Sequence, residues 1–485
     1  MAEQAAAPRR WSMGSDSETS STLRRSRIAG VGLAVWLAGG GSGLAAEAPE
    51  RPEIAFSAQD RILVLAPHPD DEVLGCAGVI QQAIVQQRPL RIVFFTYGDN
   101  NQWSFLVYRK RPVLKPTAVR GMGLIRHDEA LAAAKVLGLM PEQLMFLGYP
   151  DFGTMHIWKA HWGARPPFRS MLTRVTAVPY KNALRPGAPY KGEEVLRDLT
   201  TVLREFRPTK IFVSHPGDHM PDHSALYLFT RVALWDLASE MQPEIYPYLV
   251  HFKRWPRRRG YRPTELLELP APFKEGILWW SHHLGPSDVE RKRAAIRAHR
   301  SQYAVSAKYL LSFMRSNELF GDLPVVPLRA GPSPLLLSAD GAADHVEPSE
   351  ELTDTERAAF VGVEERSVQL VDDQLVLSMK FSRPLAQAVN ASVYIFGYRS
   401  DRPFAQMPKL HVKFGALLQE VYDQDRKLPQ DILSIRRKPK RLTIRVPLRV
   451  LGDPQRVLTS ARTSFGEVPL DWASWRILAI SSDHP

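Results

Sequence analysis

Short aliphatic runs alternate with segments of helical hydrophobic spacing over roughly the first two thirds of the chain. Ile62–Ala66 is apolar throughout, as expected of a strand buried on both faces, and residues 71–87 carry apolar side chains at helical spacing. The alternation continues through residues 90–99, 125–139, 144–151, 193–210, 211–218 and 222–238. Alternating strands and helices predict an α/β fold, with a Rossmann-like parallel sheet and helices on both faces.

The pattern changes after about residue 325. Residues 326–350 are rich in Pro, Gly, Ala and Ser and are typical of a linker. Residues 368–385, 392–400, 408–416 and 440–451 are alternating or β-rich runs broken by turn residues. A chain of 485 residues also exceeds one ordinary domain. We therefore predict an α/β domain over residues 49–325, a linker over 326–350 and an all-β, sandwich-like domain over 351–485.

Residues 1–48 have the order of an export signal. A basic cluster at residues 24–27 precedes an apolar run from Ile28 to about Leu37, and small residues follow around Ala45 and Ala46. Met13 is an alternative start, and an uncleaved membrane anchor is the alternative to a cleaved signal. We expect an exported protein, periplasmic or extracellular, that is membrane-anchored if the signal is not cleaved.

Composition restricts the partners and the chemistry. The formal net charge of +12 and the pI of about 9.7 favour anionic partners through electrostatic steering. Cys76 is the only cysteine, which excludes an intrachain disulfide and a cysteine-based zinc site. Any metal site must therefore be built from His, Asp and Glu.

Four polar clusters follow predicted strands: residues 67–72 (PHPDDE), 96–99 (TYGD), 148–151 (GYPD) and 214–218 (SHPGD). The carboxyl ends of parallel strands meet at one edge of a sheet, where binding sites form. The first cluster places three carboxylates in a row, an arrangement that repels itself unless positive charge lies nearby. The sequence therefore predicts a site at this edge.

A metal is one source of that positive charge. His68 and Asp71 lie three residues apart at a strand-to-helix turn, and a third ligand is available among His215, His219 and His223. If His68, Asp71 and His223 bind the metal, Asp70 is left beside it as a general base for hydrolysis of an amide or ester. The alternative is an ordinary turn in which an aspartate caps the next helix.

The motifs APHPDDEVLGCAG (66–78) and HPGDHMPDHSAL (215–226) resemble the PIG-L/LmbE-like zinc-dependent N-acetylglucosaminyl deacetylases. Residues 125–139, 146–151 and 292–303 also fit that family, and the resemblance spans roughly residues 62–313. It implies that the metal ligands are His68, Asp71 and His223, with Asp70 as the base. It also implies substrate contacts from Arg126 and Asp151, for which a surface arginine and a turn aspartate are the alternatives.

One position departs from the family pattern. Family members often carry a histidine three residues before the last zinc ligand, where this chain has Met220. That histidine is thought to stabilise the tetrahedral intermediate and to protonate the leaving amine. We predict His219 as the second catalytic residue, with His156 and His161 as possible substitutes.

Two further segments bear on ligands. Residues 152–192 form a long insertion in which Trp158, Trp162 and Tyr180 either stack on sugars or anchor the insertion to the body of the domain. Residues 252–263 are a basic loop with six Lys and Arg residues. The loop is either simply solvated or binds an anionic glycan or membrane surface. Nucleic acid is not expected for an exported protein.

These observations predict a metal-dependent hydrolase that removes an N-acetyl or other N-acyl group from an amino sugar in a glycan or glycoconjugate. Zn²⁺ is the expected cofactor, and Fe²⁺ is possible because two histidines and one carboxylate also suit non-haem iron. The alternative, from another functional class, is a glycan-binding protein on a catalytically degenerate deacetylase fold.

Overall fold

The computed structural model describes residues 51–100, 115–274, 276–337, 348, 352–386, 388–416 and 418–481. The predicted export signal lies outside these residues. Among the helices that are described, none is both long and apolar enough to cross a membrane.

The first two thirds of the chain form a seven-stranded sheet. Its strands are β1 (Ile62–Ala66), β2 (Leu90–Thr96), β3 (Leu144–Tyr149), β4 (Lys210–Ser214), β5 (Glu244–Tyr248), β6 (Trp279–His283) and β7 (Asn317–Gly321). The strand order is β3-β2-β1-β4-β5-β7-β6. The first five are parallel, whereas β7 runs antiparallel to both β5 and β6. The strand order reverses between β1 and β4, which is the point where α/β sheets bind ligands.

Helices cover both faces of this sheet, which confirms the predicted fold class. They are α1 (Asp71–Val85), α2 (Pro116–Leu137), α3 (Thr154–Ala160), α4 (Gly192–Phe206), α5 (Pro221–Asp236), α6 (Pro286–Ala298) and α7 (Arg300–Leu310). Helix α6 packs against α1 and α2, while α5 packs against α3 and α4. In α4 the buried positions Val195, Leu199, Val202 and Phe206 recur at helical spacing, so one apolar stripe faces the core.

The C-terminal part contains the short helix α8 (Asp354–Ala358) and two β-sheets, as predicted. Its strands are β8 (Val326–Leu328), β9 (Leu335–Leu336), β10 (Val363–Val371), β11 (Gln374–Phe381), β12 (Val389–Tyr398), β13 (Lys409–Phe414), β14 (Gln419–Asp423), β15 (Arg426–Lys427), β16 (Ser434–Lys438), β17 (Arg441–Pro447), β18 (Arg456–Phe465) and β19 (Val468–Ile480). One sheet has the order β16-β17-β11-β10-β9 and the other β15-β14-β13-β12-β18-β19-β8. Apolar side chains of both sheets form a shared core.

The predicted linker, residues 326–350, contributes two strands to these sheets. Strand β8 pairs in parallel with β19, and β9 pairs with β10. Val326 and Leu328 alternate with the exposed Pro327 and are buried in the β-sheet core, which explains why this short segment adopts a strand. The predicted domain boundaries stay a prediction.

The two parts of the molecule share a packed boundary. One face of the β12-containing sheet joins the core of the α/β part, where Phe404 and Trp475 contact Trp158 of α3. Trp158, Trp162 and Tyr180 are all buried. Of the two alternatives for these aromatics, the structure therefore shows the anchoring of the insertion, because buried rings have no face left for a sugar.

Candidate metal centre and active site

The turn between β1 and α1 carries the first predicted site residues. Asp70 has φ of 126°, a conformation that is uncommon for a residue other than glycine and that is often found at functional sites. Its carbonyl accepts hydrogen bonds from the N–H groups of Val73 and Leu74, each at 3.0 Å. Its carboxylate, however, does not cap α1. The simple capping alternative for Asp70 therefore does not describe this turn.

Three predicted ligands converge beside this turn. Asp71 Oδ2 lies 3.2 Å from His68 Nδ1 and 3.1 Å from His223 Nε2, and the three donor atoms lie within 4.8 Å of one another. His223 is delivered from the first turn of α5, which begins after β4, so both sides of the strand-order reversal contribute. All three side chains are buried.

The donor set fits a metal ion. Three ligand atoms at ~2.0–2.2 Å from a tetrahedral zinc lie roughly 3.3–3.6 Å apart, close to the separations found here. His223 Nε2 is buried and forms no hydrogen bond within the described residues, although Asp71 Oδ2 is only 3.1 Å away. Burial lowers the pKa of His223, but the Asp218 and Asp71 carboxylates outweigh burial and raise that pKa to about 9. The surroundings of this ring therefore favour a positive charge.

The second ring nitrogen of each histidine in this cluster also faces a carboxylate. His68 Nε2 lies 3.1 Å from Asp151 Oδ1 and 3.3 Å from Asp222 Oδ2, and His223 Nδ1 lies 3.1 Å from Asp218 Oδ2. Carboxylates in this position fix the orientation of a ligating imidazole and raise its basicity. Asp218 and Asp222 were not among the predicted site residues, although both lie within the HPGDHMPDH motif.

A second set of acidic and imidazole groups, His68, Asp151 and Asp222, is also close enough to hold a metal. Asp222 is already engaged there, because its oxygens accept hydrogen bonds from the N–H groups of Phe152 and Thr154 and from the Thr154 hydroxyl. These bonds attach the start of α3 to α5. Because the Asp222 oxygens are occupied in this way, the first cluster is the better metal site.

Arg126, predicted to contact substrate, is buried beneath the turn. Its guanidinium donates hydrogen bonds to the carbonyls of Pro69 and Gly98 and lies 3.5 Å from Asp70 Oδ2. The surface-arginine alternative is therefore wrong for this position. Burial raises the pKa of Asp70 to about 7, the Arg126 charge opposes that increase, and Asp71 adds to it.

Glu72 is the third carboxylate of the turn. It contacts residues outside the donor cluster, which we define as His68, Asp71 and His223. Its Oε1 lies 3.0 Å from His299 Nε2, and its Oε2 accepts a hydrogen bond from the Asp70 N–H at 2.9 Å. Glu72 thus supports the unusual backbone of Asp70 and pairs with a histidine at the start of α7. The crowding of carboxylates in PHPDDE is relieved by a separate cationic partner for each.

The structure does not bring the predicted catalytic His219 to the donor cluster. Its ring contacts Phe252, at 4.5 Å between ring centroids, and Trp472 of β19, at 4.6 Å. Burial, helped by the Lys253 charge, lowers the pKa of His219 to about 3. Met220 precedes α5 as its N-cap. The catalytic role of His219 stays a prediction without a supporting contact.

His251 is the nearby histidine that sequence reasoning missed. It follows β5 at the same edge of the sheet, and its ring lies 4.9 Å from that of His223. Its Nδ1 is 3.2 Å from the hydroxyl of Tyr309. A polar residue directly after the run PYLV (247–250), which includes the end of β5, was the available signal. The proposed substitutes His156 and His161 instead contact Phe168, each with ring centroids 5.4 Å apart.

The basic loop, residues 252–263, packs beside this site. Lys253 forms an ion pair of 2.9 Å with Asp471 of β19, and Arg259 lies over the ring of Tyr309 at 4.7 Å. Part of its positive charge therefore holds the two parts of the molecule together. Whether the remaining cations bind a glycan or a membrane stays a prediction.

Comparison with known proteins agrees with the resemblance seen in the motifs. Residues 63–234 match the family model of PIG-L, described as GlcNAc-PI de-N-acetylase. A curated protein of Streptomyces scabiei, 1D-myo-inositol 2-acetamido-2-deoxy-alpha-D-glucopyranoside deacetylase, is 25% identical over 295 residues, which are 53% of this chain and 80% of that protein.

A glucosamine-6-phosphate deaminase-like protein of Bacteroides thetaiotaomicron is 24% identical over 291 residues, covering 52% of this chain but only 37% of that protein. Among solved structures, N,N'-diacetylchitobiose deacetylase of Pyrococcus horikoshii is 21% identical, with a TM-score of 0.30, over 50% of this chain and 70% of that one. The segment 63–234 of this chain is therefore similar to the PIG-L family.

Proposed function

We propose that this protein is a Zn²⁺-dependent hydrolase that removes an N-acetyl or other N-acyl group from an amino sugar in a glycan or glycoconjugate. The observation that carries the proposal is the buried convergence of His68, Asp71 and His223 beside the carboxylate of Asp70. The match to the family model and the deacetylase activity of the Streptomyces relative support the same chemistry.

The ion, when bound, polarises an amide carbonyl and makes water more acidic. His68, Asp71 and His223 hold it, while Asp151 and Asp218 keep the two imidazoles in the orientation that binding needs. Asp70 accepts the proton of the attacking water, and Arg126 keeps the Asp70 carboxylate in place at 3.5 Å. Asp70 then returns this proton to the leaving amine.

The proposal is tested by measuring metal content and acetate release with the full-length protein. N-acetylated monosaccharides and oligosaccharides are offered with added Zn²⁺, and separately after treatment with a chelator. We expect acetate release that the chelator abolishes and Zn²⁺ restores. A protein that holds no metal and releases no acetate from any of these sugars would overturn the proposal.

Two alternatives give different results in the same experiment. Full activity with Fe²⁺ after anaerobic purification, and weak activity with Zn²⁺, would indicate a non-haem iron enzyme with the same ligands. Binding of acetylated glycans without turnover, unaffected by Asp70→Asn, would indicate a glycan-binding protein on this fold. The replacement of a family histidine by Met220 motivates this second alternative.

A further inference from the structure

A strip of cationic and aromatic side chains lies where α3 meets the face of the β12-containing sheet. We define this cationic strip as Lys159, Tyr394, His411, Arg462 and Trp472. The Nζ of Lys159 lies 4.9 Å from the centroid of the Tyr394 ring, and Cζ of Arg462 lies 5.8 Å from the same centroid. His411 stacks on Tyr394, with centroids 4.6 Å apart.

The positive charges of the strip lack carboxylate partners within the described part of the chain. Neither Lys159 nor Arg462 forms an ion pair there, and the buried Arg462 Nε and His411 Nε2 make no hydrogen bond. Burial and the Arg462 charge lower the pKa of Lys159 to about 7, and burial lowers the pKa of His411 to about 3, so the positive charge of the strip is that of Arg462 and, in part, Lys159. The exposed Glu467 acts only weakly, as a minor influence on Tyr394. Since like charges held together destabilise a protein, such an arrangement indicates an anionic ligand.

The strip is continuous with the candidate active site by two routes. Helix α3 begins at Thr154, which is bonded to Asp222, and Lys159 lies five residues further on, about 7.5 Å along the helix axis. In the sheet, Arg462 is the cross-strand partner of Trp472, whose ring contacts His219. The strip is therefore linked, through α3 and through Trp472, to residues that flank the donor cluster.

The chemistry of the strip suits an acidic sugar. Lys159, His411, Arg462 and Trp472 are all partly exposed, so a ligand can reach them. An arginine fork binds a carboxylate through two parallel hydrogen bonds, and an aromatic ring packs against the apolar face of a sugar. The net charge of +12 adds long-range attraction for a polyanion.

We propose that the cationic strip binds carboxylate-bearing sugars of an acidic glycan while the neighbouring N-acetylated sugar occupies the site at His68, Asp71 and His223. The inference rests on the proposed deacetylase function and adds the class of substrate. It assigns the C-terminal β-sheets a direct part in substrate selection, because they supply all residues of the strip except Lys159.

The test compares two tetrasaccharides, one in which N-acetylglucosamine alternates with glucuronic acid and one made of N-acetylglucosamine alone. Binding is measured by calorimetry, and deacetylation by acetate release, for the metal-loaded wild type and for Arg462→Ala. We expect Arg462→Ala to weaken binding of the acidic tetrasaccharide about 10-fold or more, because the variant loses charge-assisted hydrogen bonds to the carboxylate. Binding of the neutral tetrasaccharide should change less than about twofold.

Two further variants control for misfolding of Arg462→Ala and for the loss of a positive charge elsewhere on the surface. Lys159→Met keeps the length of the side chain and removes its charge, so it tests the strip independently if Arg462→Ala folds poorly. Arg436→Ala removes an exposed cation from β16 of the other sheet and should leave both affinities unchanged.

The outcomes distinguish this inference from the proposed function. The inference would be overturned if a strip variant weakened the binding of both tetrasaccharides equally. It would also be overturned if neither Arg462→Ala nor Lys159→Met weakened the binding of either tetrasaccharide. Tight, Arg462-dependent binding of the acidic tetrasaccharide without any acetate release would support the strip and refute the deacetylase proposal.

Discussion

The metal centre and the cationic strip are neighbouring polar clusters whose charges are compensated in opposite ways. At the metal centre, both ring nitrogens of His68 and of His223 face a carboxylate. In the strip, Lys159 and Arg462 face an aromatic ring instead. The first arrangement is a buried cluster that suits a cation, whereas the second leaves positive charge without a carboxylate partner in the described part of the chain. Breaking one cluster should therefore affect catalysis, and breaking the other should affect the choice of substrate.

The largest effect is expected from removing a ligand of the metal centre. His223→Ala should reduce the bound metal to near zero and lower activity about a thousandfold or more, because the ion supplies several kcal/mol of transition-state stabilisation. Metal analysis and acetate release measure both. His283→Ala, which removes an exposed histidine from β6, is the control. A His223→Ala protein that keeps its metal and its activity would contradict the assignment.

Removing the base should separate metal binding from catalysis. Asp70→Asn keeps the shape of the side chain but cannot take a proton, so kcat should fall about 10²–10⁴-fold while metal content stays unchanged. Asp128→Asn, at an exposed position of α2, is the matched control. The role of Asp70 would be refuted if kcat of the folded, metal-loaded variant stayed within about fivefold of the wild type.

The carboxylates behind the histidines should have a smaller effect. Asp218→Asn can still accept hydrogen bonds from the loop N–H groups of Val250 and His251, but it no longer raises the basicity of the His223 imidazole. We expect metal affinity to fall about 10–100-fold, measured by competition with a chelator. Asp431→Asn, at an exposed position before β16, should bind metal as the wild type does. Unchanged affinity in Asp218→Asn would mean that Asp218 only holds the loop.

The sequence predicted those features of the site that depend on the spacing of residues along the chain and on their position at the end of a strand. His68 and Asp71 are three residues apart at a strand end, and the alternation of strands and helices placed them at one edge of a parallel sheet together with three candidate histidines, His215, His219 and His223. The resemblance to the deacetylase family selected His223 among the three. The partners of these residues could not be predicted, because they depend on how distant segments pack. His299 reaches Glu72 across 227 positions. Trp472 reaches His219 from a different sheet.

The same reason explains why alternatives about side-chain environment stayed open. For Arg126 a surface position was an alternative to a substrate contact, but α2 begins ten residues earlier and buries it. The aromatics of the insertion could either stack on sugars or anchor the insertion, and the β12-containing sheet packs against Trp158 and Trp162. Periodicity describes a segment, whereas burial depends on what packs against it.

The smallest expected effect concerns Trp472, an uncharged member of the cationic strip whose ring contacts His219. Trp472→Ala removes an aromatic surface without changing any charge, so it should raise KM about 2- to 10-fold for the acidic and the neutral tetrasaccharide alike, with kcat unchanged. Arg462→Ala should discriminate between the two, because only the acidic one offers a carboxylate. Trp235→Ala, on α5 against Tyr398, is the control for loss of a tryptophan at the boundary between the two parts. If Trp472→Ala instead lowered kcat as strongly as Asp70→Asn, the ring would be acting on the reacting group through His219, and the separation between a catalytic centre and a selecting strip would be wrong.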